Sequence, residues 1–479
     1  MSLLPDGALH VASRRFEQGP TAAVRDPWSG DELARVVLAD EERAEQATVA
    51  AQQAFERWRL RTSHQRKVVL ARVAQEVEAR AEAFAELIAR EAGKPIGMAR
   101  AEVARAVSTF EMGAEEATRI LGEVMPLDVT AASRGYVGAW TRVPAGPVIA
   151  VSPFNFPLNL VAHKIAPALA CGCSVVLKPP PQAPLTSLWL AECIRKSGAD
   201  EDTVQVVPCD VGVAERLVRD ARFATLSFTG SARVGWHLKG VAGRKRVLLE
   251  LGGNAAVIVH PDGPVERALD RIVPAAFGYA GQVCIKVQRL YVQRAMADAF
   301  VARLVERSRA VRPRPPLDPA AVCSCMIDEA NAARVEQWVS EAAHAGARVL
   351  CGGRRETNRH WPTVLELDGD GRGLKVVDEE VFGPVLTVHR YDTWDEALAM
   401  ADATRYGLQA GVFTDSRARI AEAFAKLHVG ALVVNDAPTF RVDSMPYGGT
   451  RDSGMGREGV RFAIEEMTER KLLVVHEGD

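Results

Sequence analysis

Residues 148–178, VIAVSPFNFPLNLVAHKIAPALACGCSVVLK, decide the fold. The run at 148–152 is short and continuously apolar, which is typical of a strand buried on both faces. After Pro157 the apolar residues extend over a longer stretch, which favours a helix. A second apolar run of strand length follows at 174–178. This order predicts two parallel strands joined by a crossover helix.

The alternation of strand and helix continues beyond residue 178. A helix is predicted over 185–198, ending at Gly198. Further strands are predicted at 204–208, 224–228 and 246–251, and then in a second series at 255–260, 289–293, 363–367 and 385–390. Such alternation indicates parallel sheets covered on both faces. The sequence therefore predicts a doubly wound α/β domain of nucleotide-binding type and a second α/β region that runs to about residue 435.

The segment before residue 148 has a different pattern. Apolar residues recur at helical spacing over 40–121, with an interruption at Gly93-Lys94-Pro95, so several amphipathic helices are predicted there. At the other end of the chain, the last residues include the apolar run LLVV (472–475). An unpaired apolar strand would be an exposed edge, so we expect this run to pair with another segment or another subunit.

Composition argues against several classes of function. Of 479 residues, 48% are hydrophobic and 25% charged, and the net charge is -2, so no nucleic-acid or anionic membrane partner is predicted. No apolar run reaches the ~20 residues that span a bilayer, and the N-terminus lacks a secretory pattern. Cys171 and Cys173 lie in an apolar run and are predicted core residues, and no cysteine pair has zinc-site spacing. We expect no metal and a reducing, cytoplasmic compartment.

The segment FGYAGQVCIKVQR (277–289) places Cys284 in a small, glycine-containing turn. A buried cysteine is usually a small apolar filler, and it becomes a nucleophile only with a reason to ionise and a base nearby. Asn155 and Glu250 each stand at the carboxyl end of a predicted strand, where ligands bind in open α/β sheets. Asn155 is either an oxyanion donor or a turn residue, and Glu250 is either a general base or a strand-terminal cap.

Two further turns carry candidate binding residues. In SFTGSARVG (227–235), Gly230 and Ser231 stand between a predicted strand and a predicted helix, an arrangement that suits a phosphate. In EEVFGPV (379–385), Glu380 and Phe382 precede a Gly-Pro pair. Each turn by itself is a weak signal, because glycine-rich turns are common.

In combination these segments resemble the aldehyde dehydrogenase superfamily across nearly the whole chain. The motifs occur in the order found in that family: PFNFP (153–157), FTGSxxxG (228–235), ELGGN (250–254), FxxxGQxC (277–284), ExFGPV (380–385) and PYGGxxxSGxGRE (446–458). The resemblance implies oxidation of an aldehyde to a carboxylic acid. Cys284 would form a thiohemiacetal and then a thioester, Asn155 would stabilise the oxyanion, and Glu250 would activate the water that hydrolyses the thioester.

The resemblance also implies a cofactor site for NAD or NADP. Lys178 is similar to the lysine that binds the adenosine ribose, Ser231 with Gly230 to the pyrophosphate site, and Glu380 with Phe382 to the nicotinamide ribose site. The backbone of Ser152 and Phe154 would line the same groove. Pro181 stands where members that prefer NAD often have an acid, so the absence of a repulsive charge favours NADP or dual use. Arg451 replaces a lysine of many members and keeps the charge.

The substrate and the subclass stay open in the sequence. Arg441 either binds an anionic group, as in members that act on lactaldehyde, succinic semialdehyde or glyceraldehyde 3-phosphate, or forms a surface or inter-subunit salt bridge. Val283 adds no charge. The alternatives are a coenzyme-A-acylating semialdehyde dehydrogenase, which Glu250 opposes, and a cofactor-independent thiol esterase, which would need a histidine that none of the motifs contains. A non-catalytic protein is disfavoured because Cys284 and Glu250 are both present.

The fold implied by the resemblance has three parts. A Rossmann-like parallel-sheet cofactor domain would comprise 1–121 and 144–252, and an α/β catalytic domain 253–440. A small β-arm for oligomerisation would combine 122–143 with 458–479, and the terminal LLVV run would extend the sheet of a neighbouring subunit. We therefore expect a homodimer or a homotetramer.

Overall fold

The computed structural model describes residues 7–477 and contains two large sheets and a three-stranded arm. The first sheet has six strands in the described range, in the spatial order Gly454–Met455, Arg246–Glu250, Thr225–Thr229, Val148–Val151, Val175–Lys178 and Val204–Val206. Neighbouring strands are parallel except for 454–455, which runs antiparallel to 246–250.

Helices cover both faces of this sheet. They are Glu41–Trp58, Ser63–Glu78, Ala81–Ala92, Ile96–Glu116, Asn159–Cys171, Leu185–Lys196, Val211–Arg219, Ala232–Val241 and Val460–Glu466. The helix 159–171 is buried at every position, because it packs against the helices 63–78, 96–116 and 460–466 as well as against strands of the first sheet. Two short hairpins, Leu9–Val11 with Arg14–Phe16 and Thr21–Arg25 with Glu32–Val37, precede the helical layer.

The second sheet has seven strands in the described range. Their spatial order is Arg348–Cys351, Thr363–Glu366, Val385–Tyr391, Val287–Gln293, Ala255–Val259, Gln409–Phe413 and Ala431–Val434. Only 348–351 runs antiparallel to its neighbour. The helices of this domain are Val265–Phe277, Arg294–Ala310, Glu329–His344, Lys375–Asp378, Trp394–Asp402 and Arg417–Lys426.

The remaining elements are short or belong to the arm. Two-residue strands pair at Arg355–Glu356 with Arg359–His360 and at Tyr406–Gly407 with Thr450–Arg451, and single 3₁₀ turns form at Ala131–Ser133 and Gly278–Gly281. The arm consists of Glu123–Pro126, Tyr136–Pro144 and Thr468–His476, with 136–144 in the middle. No helix within 7–477 is long and apolar enough to cross a membrane.

The predicted α/β architecture is confirmed, and the predicted strands differ from the observed ones by at most two residues at either end. Gly93 adopts a left-handed φ of 64° and ends one helix, and Pro95 precedes the next, so the predicted interruption of the helical layer is confirmed. Cys171 and Cys173 are buried, as predicted for core residues. The sequence patterns did not predict the strands 348–351, 409–413 and 431–434.

The chain segment after residue 440 differs from the predicted domain division. Residues 454–455 join the first sheet, and the helix 460–466 packs into the core of the first domain through Val460 and Ile464. The last strand of the arm begins at Thr468, ten residues after the predicted start of that segment at 458. The reason is that 460–466 has an apolar face that fits against the buried helix 159–171.

Candidate active site

A cavity of about 940 Å³ lies between the two domains, at the carboxyl ends of strands from both sheets. Its walls include Asn155, Glu250, Cys284 and Glu380, which come from four separate segments of the chain. The predicted nucleophile, oxyanion donor, base and ribose-binding acid are therefore brought together in one place.

Cys284 follows a strained turn. Tyr279 and Ala280 both have left-handed backbones, with φ of 53° and 51°, which non-glycine residues rarely adopt. Tyr279 is held there by its hydroxyl, which donates to the carbonyl of Ala92, and by its buried ring. Cys284 itself is partly exposed to the cavity, and its Sγ lies 3.2 Å from the hydroxyl of Tyr447. Desolvation by the surrounding walls raises the pKa of this thiol to about 11.

Asn155 is buried, and its side-chain amide donates to the carbonyl of Gln282, two residues before the cysteine, at 3.0 Å. This bond joins the loop after strand 148–151 to the turn that carries Cys284. The amide nitrogen has a second N–H for another acceptor. Asn155 is therefore not a turn residue that bonds only its own backbone, and it is available to an oxyanion at Cys284.

A buried cation supports the loop of Asn155. The ammonium of Lys94 lies 3.4 Å from the ring centre of Phe156 and 4.9 Å from that of Tyr279, and it pairs with Glu102. The other oxygen of Glu102 accepts the backbone N–H groups of residues 158 and 159. Lys94 therefore contacts both the segment that carries Asn155 and the turn before Cys284.

Glu250 ends the strand 246–250 and is almost completely buried. Its Oε2 has no hydrogen-bond partner in the described structure. Burial, followed by the negative charge of Glu458, raises the pKa of Glu250 well above its usual value, although Arg441 and Lys164 act in the opposite direction. A carboxylate with a raised pKa is a stronger base than an exposed one once it is ionised.

The residues predicted to bind the nicotinamide half of the cofactor line the same cavity. Glu380 accepts the N–H of Gly253 at 3.0 Å, and desolvation raises its pKa to about 7. Phe382 has a φ of 45° and meets the ring of Phe154 edge to face. Gly230 and Ser231 also line this cavity. Ser231 precedes the helix 232–241 but makes no side-chain capping bond, so its hydroxyl is free to bind a ligand.

A second cavity, of about 570 Å³, contains Lys178. Arg233 lines both cavities and thus marks where they adjoin. Burial lowers the pKa of Lys178. Pro181 does not lie with Lys178: it is exposed and lines a separate depression beside Trp28. Ser152 is buried, its N–H donates to the carbonyl of Lys178, and its hydroxyl has no partner.

The two adjoining cavities fit a dinucleotide. Each half of such a ligand needs its own concave site, and the phosphates between them need donors. The uncapped Ser231, the first turn of its helix and Arg233 stand at the junction and supply those donors. Lys178 lies at the far end, where a ribose of the adenosine half would be held.

Arg441 is buried and does not form a surface salt bridge. It donates to Glu458 at 3.0 Å, and its guanidinium lies 3.7 Å from the ring centre of Tyr447. Its Nε has no partner among the described residues. Glu458 also accepts from Lys164 at 3.3 Å. Although burial opposes ionisation, these two cations lower the pKa of Glu458 to about 2.

Several residues of the site were missed by the sequence analysis. Tyr447 and Glu458 lie in the last motif, and Lys164 stands in an otherwise apolar helix, so a buried lysine was a detectable signal. Arg233 was within a quoted motif, but nothing in the sequence showed that it faces both cavities. Arg334, on the helix 329–344, also lines the larger cavity and has no sequence signal of its own.

Comparison with known proteins agrees with this geometry. The sequence model of the Aldehyde dehydrogenase family matches residues 15–473. A 3-sulfolactaldehyde dehydrogenase from Priestia aryabhattai is 42% identical over 414 residues, which are 86% of each chain. Among solved structures, aldehyde dehydrogenase 21 from Physcomitrella patens, in complex with the reaction product succinate, matches with a TM-score of 0.96 and 38% identity over 99% of both chains.

A second solved structure bears on the cofactor. A glyceraldehyde-3-phosphate dehydrogenase from Methanocaldococcus jannaschii, complexed with NADP, matches with a TM-score of 0.92 and 33% identity. The match covers 96% of this chain and 100% of that one. With the family match across nearly the whole sequence and the two adjoining cavities of the described structure, these findings establish that the chain belongs to the aldehyde dehydrogenase family, as an NAD(P)-dependent enzyme that oxidises aldehydes.

Proposed function

We propose that Cys284 is the nucleophile, that Asn155 stabilises the oxyanion, and that Glu250 activates water in a hydrolytic aldehyde dehydrogenase. The observation that carries this proposal is the convergence of the three side chains on one cavity wall from separate strands and turns. The thiolate of Cys284 attacks the aldehyde carbon, and the carbonyl oxygen becomes an oxyanion. The second N–H of the Asn155 amide and the backbone N–H of Cys284 donate to it, and loss of one such donor costs about a hundredfold or more in rate.

Two steps remain: removal of a hydride at the cofactor groove and hydrolysis of the thioester by water that Glu250 activates. Glu380 and Phe382 would hold the nicotinamide, which would supply the hydride acceptor for the thiohemiacetal carbon and so leave that carbon attached to sulfur as a thioester. Glu250, once ionised, takes a proton from a water molecule and directs it at the thioester carbon. Cleavage of the carbon–sulfur bond releases the carboxylic acid and restores the thiolate.

The alternatives are less well supported. Glu250 is buried in the cavity wall with an unpartnered oxygen, which a coenzyme-A-acylating enzyme does not need. A cofactor-independent thiol esterase would use a histidine at the sulfur, and no histidine lines the larger cavity in the described residues. The hydroxyl of Tyr447 occupies the position next to Cys284 instead.

For the substrate, we propose an aldehyde with a second, anionic group. The support for it is that the guanidinium of Arg441 lies over the ring of Tyr447, whose hydroxyl contacts Cys284, and that its Nε has no partner in the described structure. The relatives' names point to the same class, since sulfolactaldehyde, succinate and glyceraldehyde 3-phosphate are all anions. Arg441 lies one aromatic ring away from the sulfur of Cys284, which suits a short chain between the two groups.

For the cofactor, we propose a preference for NADP. Lys178 and Arg233 place two cations along the groove, and no ion pair occupies Arg233 in the described structure. The one acid of the smaller cavity, Glu215, is bonded to Arg219 and His237, which offset its charge. A 2′-phosphate therefore meets net positive charge there. Because Pro181 lies in a separate depression, this preference rests on Lys178 and Arg233.

Assembly and compartment are part of the same proposal. The outer edge of Thr468–His476 is unpaired in the described structure, and its side chains at 472–475 are exposed apolar groups, so we expect it to extend a sheet of a second copy in a dimer or tetramer. The eight cysteines are free thiols, which agrees with a reducing cytoplasmic compartment.

The test follows reduced-nicotinamide absorbance with NAD and with NADP. The aldehydes are lactaldehyde, succinic semialdehyde, glyceraldehyde 3-phosphate and an uncharged aliphatic aldehyde. We expect the highest kcat/KM with an anionic aldehyde and NADP, and we expect Cys284→Ala to lose turnover while it still binds nucleotide. Turnover of Cys284→Ala close to that of the wild type would contradict the mechanism. A preference for the uncharged aldehyde with NAD would contradict only the two specificity proposals.

A further inference from the structure

The contact between Tyr447 and Cys284 is the closest polar contact of the sulfur in the described structure. The phenol oxygen lies 3.2 Å from Sγ, within hydrogen-bond reach for sulfur. Tyr447 is 2% exposed, so its hydroxyl is shielded from bulk water. A neutral thiol and a phenol can donate in either direction, but a thiolate has no proton and only accepts. Ionisation of Cys284 therefore turns this contact into a charge-assisted bond from the phenol.

The environment of the phenol keeps it a donor. Burial raises the pKa of Tyr447 well above its usual value, so the hydroxyl stays protonated throughout the pH range in which the enzyme would work. The guanidinium of Arg441 lies over the face of its ring at 3.7 Å. A cation on the ring face draws electron density from the phenol and makes the O–H a better donor.

Arg441 is itself held in place. Its Nη2 donates to Glu458. Glu458 also accepts a hydrogen bond from Lys164, and both of these residues are buried. The sequence of contacts runs from Glu458 through Arg441 and the ring of Tyr447 to the sulfur. The side chains of Glu458, Arg441 and Tyr447 are at most 7% exposed, so packing rather than a mobile surface side chain sets the geometry at the sulfur.

From this geometry we infer that Tyr447 is a further catalytic residue, whose hydroxyl donates to the Cys284 thiolate and stabilises it before attack, in a site where no histidine contacts the sulfur in the described residues. The inference rests on Cys284 being the proposed nucleophile. When the thiol ionises, its proton leaves to water in the cavity, and the phenol keeps its own proton throughout. During attack the sulfur loses its negative charge to the carbonyl oxygen, and the bond from Tyr447 weakens as that from Asn155 strengthens.

The size of the effect follows from the bond. Hydrogen bonds to charged groups stabilise by an amount that corresponds to about a tenfold to a hundredfold change in an equilibrium constant. Removal of the hydroxyl should therefore raise the pH at which Cys284 becomes reactive by roughly one to two units. The aromatic ring, its packing and its contact with Arg441 are kept in Tyr447→Phe.

The experiment measures the rate at which iodoacetamide alkylates Cys284 as a function of pH, with the modified peptide quantified by mass spectrometry. Wild type is compared with Tyr447→Phe and with the control Tyr291→Phe, whose hydroxyl is also buried but donates to the carbonyl of Met400. We expect the pH at which alkylation is half-maximal to rise in Tyr447→Phe and to stay unchanged in Tyr291→Phe. An unchanged midpoint in Tyr447→Phe would overturn the inference.

A second variant keeps the inference open to refutation if Tyr447→Phe folds poorly. Arg441→Met retains the phenol and removes the cation from its face, so the midpoint should again rise. No rise in a folded Arg441→Met enzyme would overturn the role of the pair. Cys284→Ala separates this inference from the proposed function. If Cys284→Ala still oxidises aldehydes, the proposed mechanism fails. If Cys284→Ala is inactive and Tyr447→Phe is alkylated with the same pH midpoint as the wild type, only the role of Tyr447 fails.

Discussion

At the scale of residues, Glu250 and Glu458 face the same two cations, yet their pKa values move in opposite directions. Glu458 makes direct contacts to Lys164 and Arg441, so it keeps its negative charge despite burial. Glu250 makes no such contact, so desolvation and repulsion from Glu458 dominate and raise its pKa. One acid is thereby a fixed charge, and the other is able to gain and lose a proton.

Substitution of Glu250 should separate thioester formation from thioester hydrolysis. Glu250→Gln keeps the volume and removes the basic oxygen, so thioester formation should continue while hydrolysis slows by at least about a hundredfold. Stopped-flow absorbance should then show one equivalent of reduced nucleotide per site, followed by very slow turnover. Normal cycling of Glu250→Gln would show that another group activates the water.

The pH dependence of hydrolysis follows from the raised pKa of Glu250. The base works only when ionised, and a raised pKa means that it becomes ionised at a higher pH than an exposed glutamate does. The steady-state rate with saturating substrates should therefore increase as the pH rises from mildly acid to alkaline values. In Glu250→Gln this rising limb should be absent from the slow residual rate. A limb that persists unchanged in the variant would assign it to another group.

At the scale of elements, the segment after strand 246–250 touches the turn that carries Cys284. A Cβ added at Gly253 would lie 2.2 Å from the backbone oxygen of Cys284, which is far inside contact distance. Backbone atoms cannot move away as a flexible side chain does, so the larger residue would displace Cys284, the proposed nucleophile. The N–H of Gly253 also binds Glu380, so the same displacement reaches the cofactor groove.

Gly253→Ala should therefore lower kcat by about a hundredfold, because a shift of about 1 Å at a reacting group costs that much. The matched control is Gly97→Ala, where an added Cβ meets nothing within 4 Å inside the helix 96–116. That control should keep wild-type activity and unfold at an equal or higher temperature, since alanine is favoured over glycine in a helix. Comparable kcat values for the two variants would contradict the structural account of Gly253.

At the scale of the whole molecule, the arm presents an unpaired strand edge. Thr468–His476 pairs along its full length with Tyr136–Pro144 on one side only. The side chains of residues 472–475 are between 44 and 65% exposed, although all are leucine or valine. An exposed apolar strand of this length is a site of pairing with another chain.

The double variant Leu473→Glu, Val475→Glu should therefore be a monomer under conditions where the wild type is a dimer or tetramer. Like charges repeated along one face of the strand oppose its burial against a second copy. The control is Leu60→Glu, which is also an exposed leucine but lies in a turn between two helices. Sedimentation velocity measures the mass of each. A monomeric wild type, or an oligomeric double variant, would contradict the role of the arm.

Much of the fold could be read from local patterns, because buried parallel strands and amphipathic helices leave distinct periodicities in the chain. The strands from 148 to 250 were predicted within two residues for this reason. Strands 409–413 and 431–434 were not predicted, although glycine and polar residues flank each of them in the sequence. The segment 460–466 was assigned to the arm because its packing partner, the helix 159–171, is about three hundred residues away.

The sequence by itself determined the α/β class and the order of the motifs, since each depends on short-range spacing, and the motifs supplied the candidate site residues. Only the tertiary structure decided which groups meet. It buried the Arg441 side chain against Glu458 and Tyr447, placed the Tyr447 hydroxyl at the sulfur of Cys284, and placed Pro181 in a different depression from Lys178. Hydrogen bonds, desolvation and charge pairing depend on distances between segments far apart in the chain, and those distances exist only after folding.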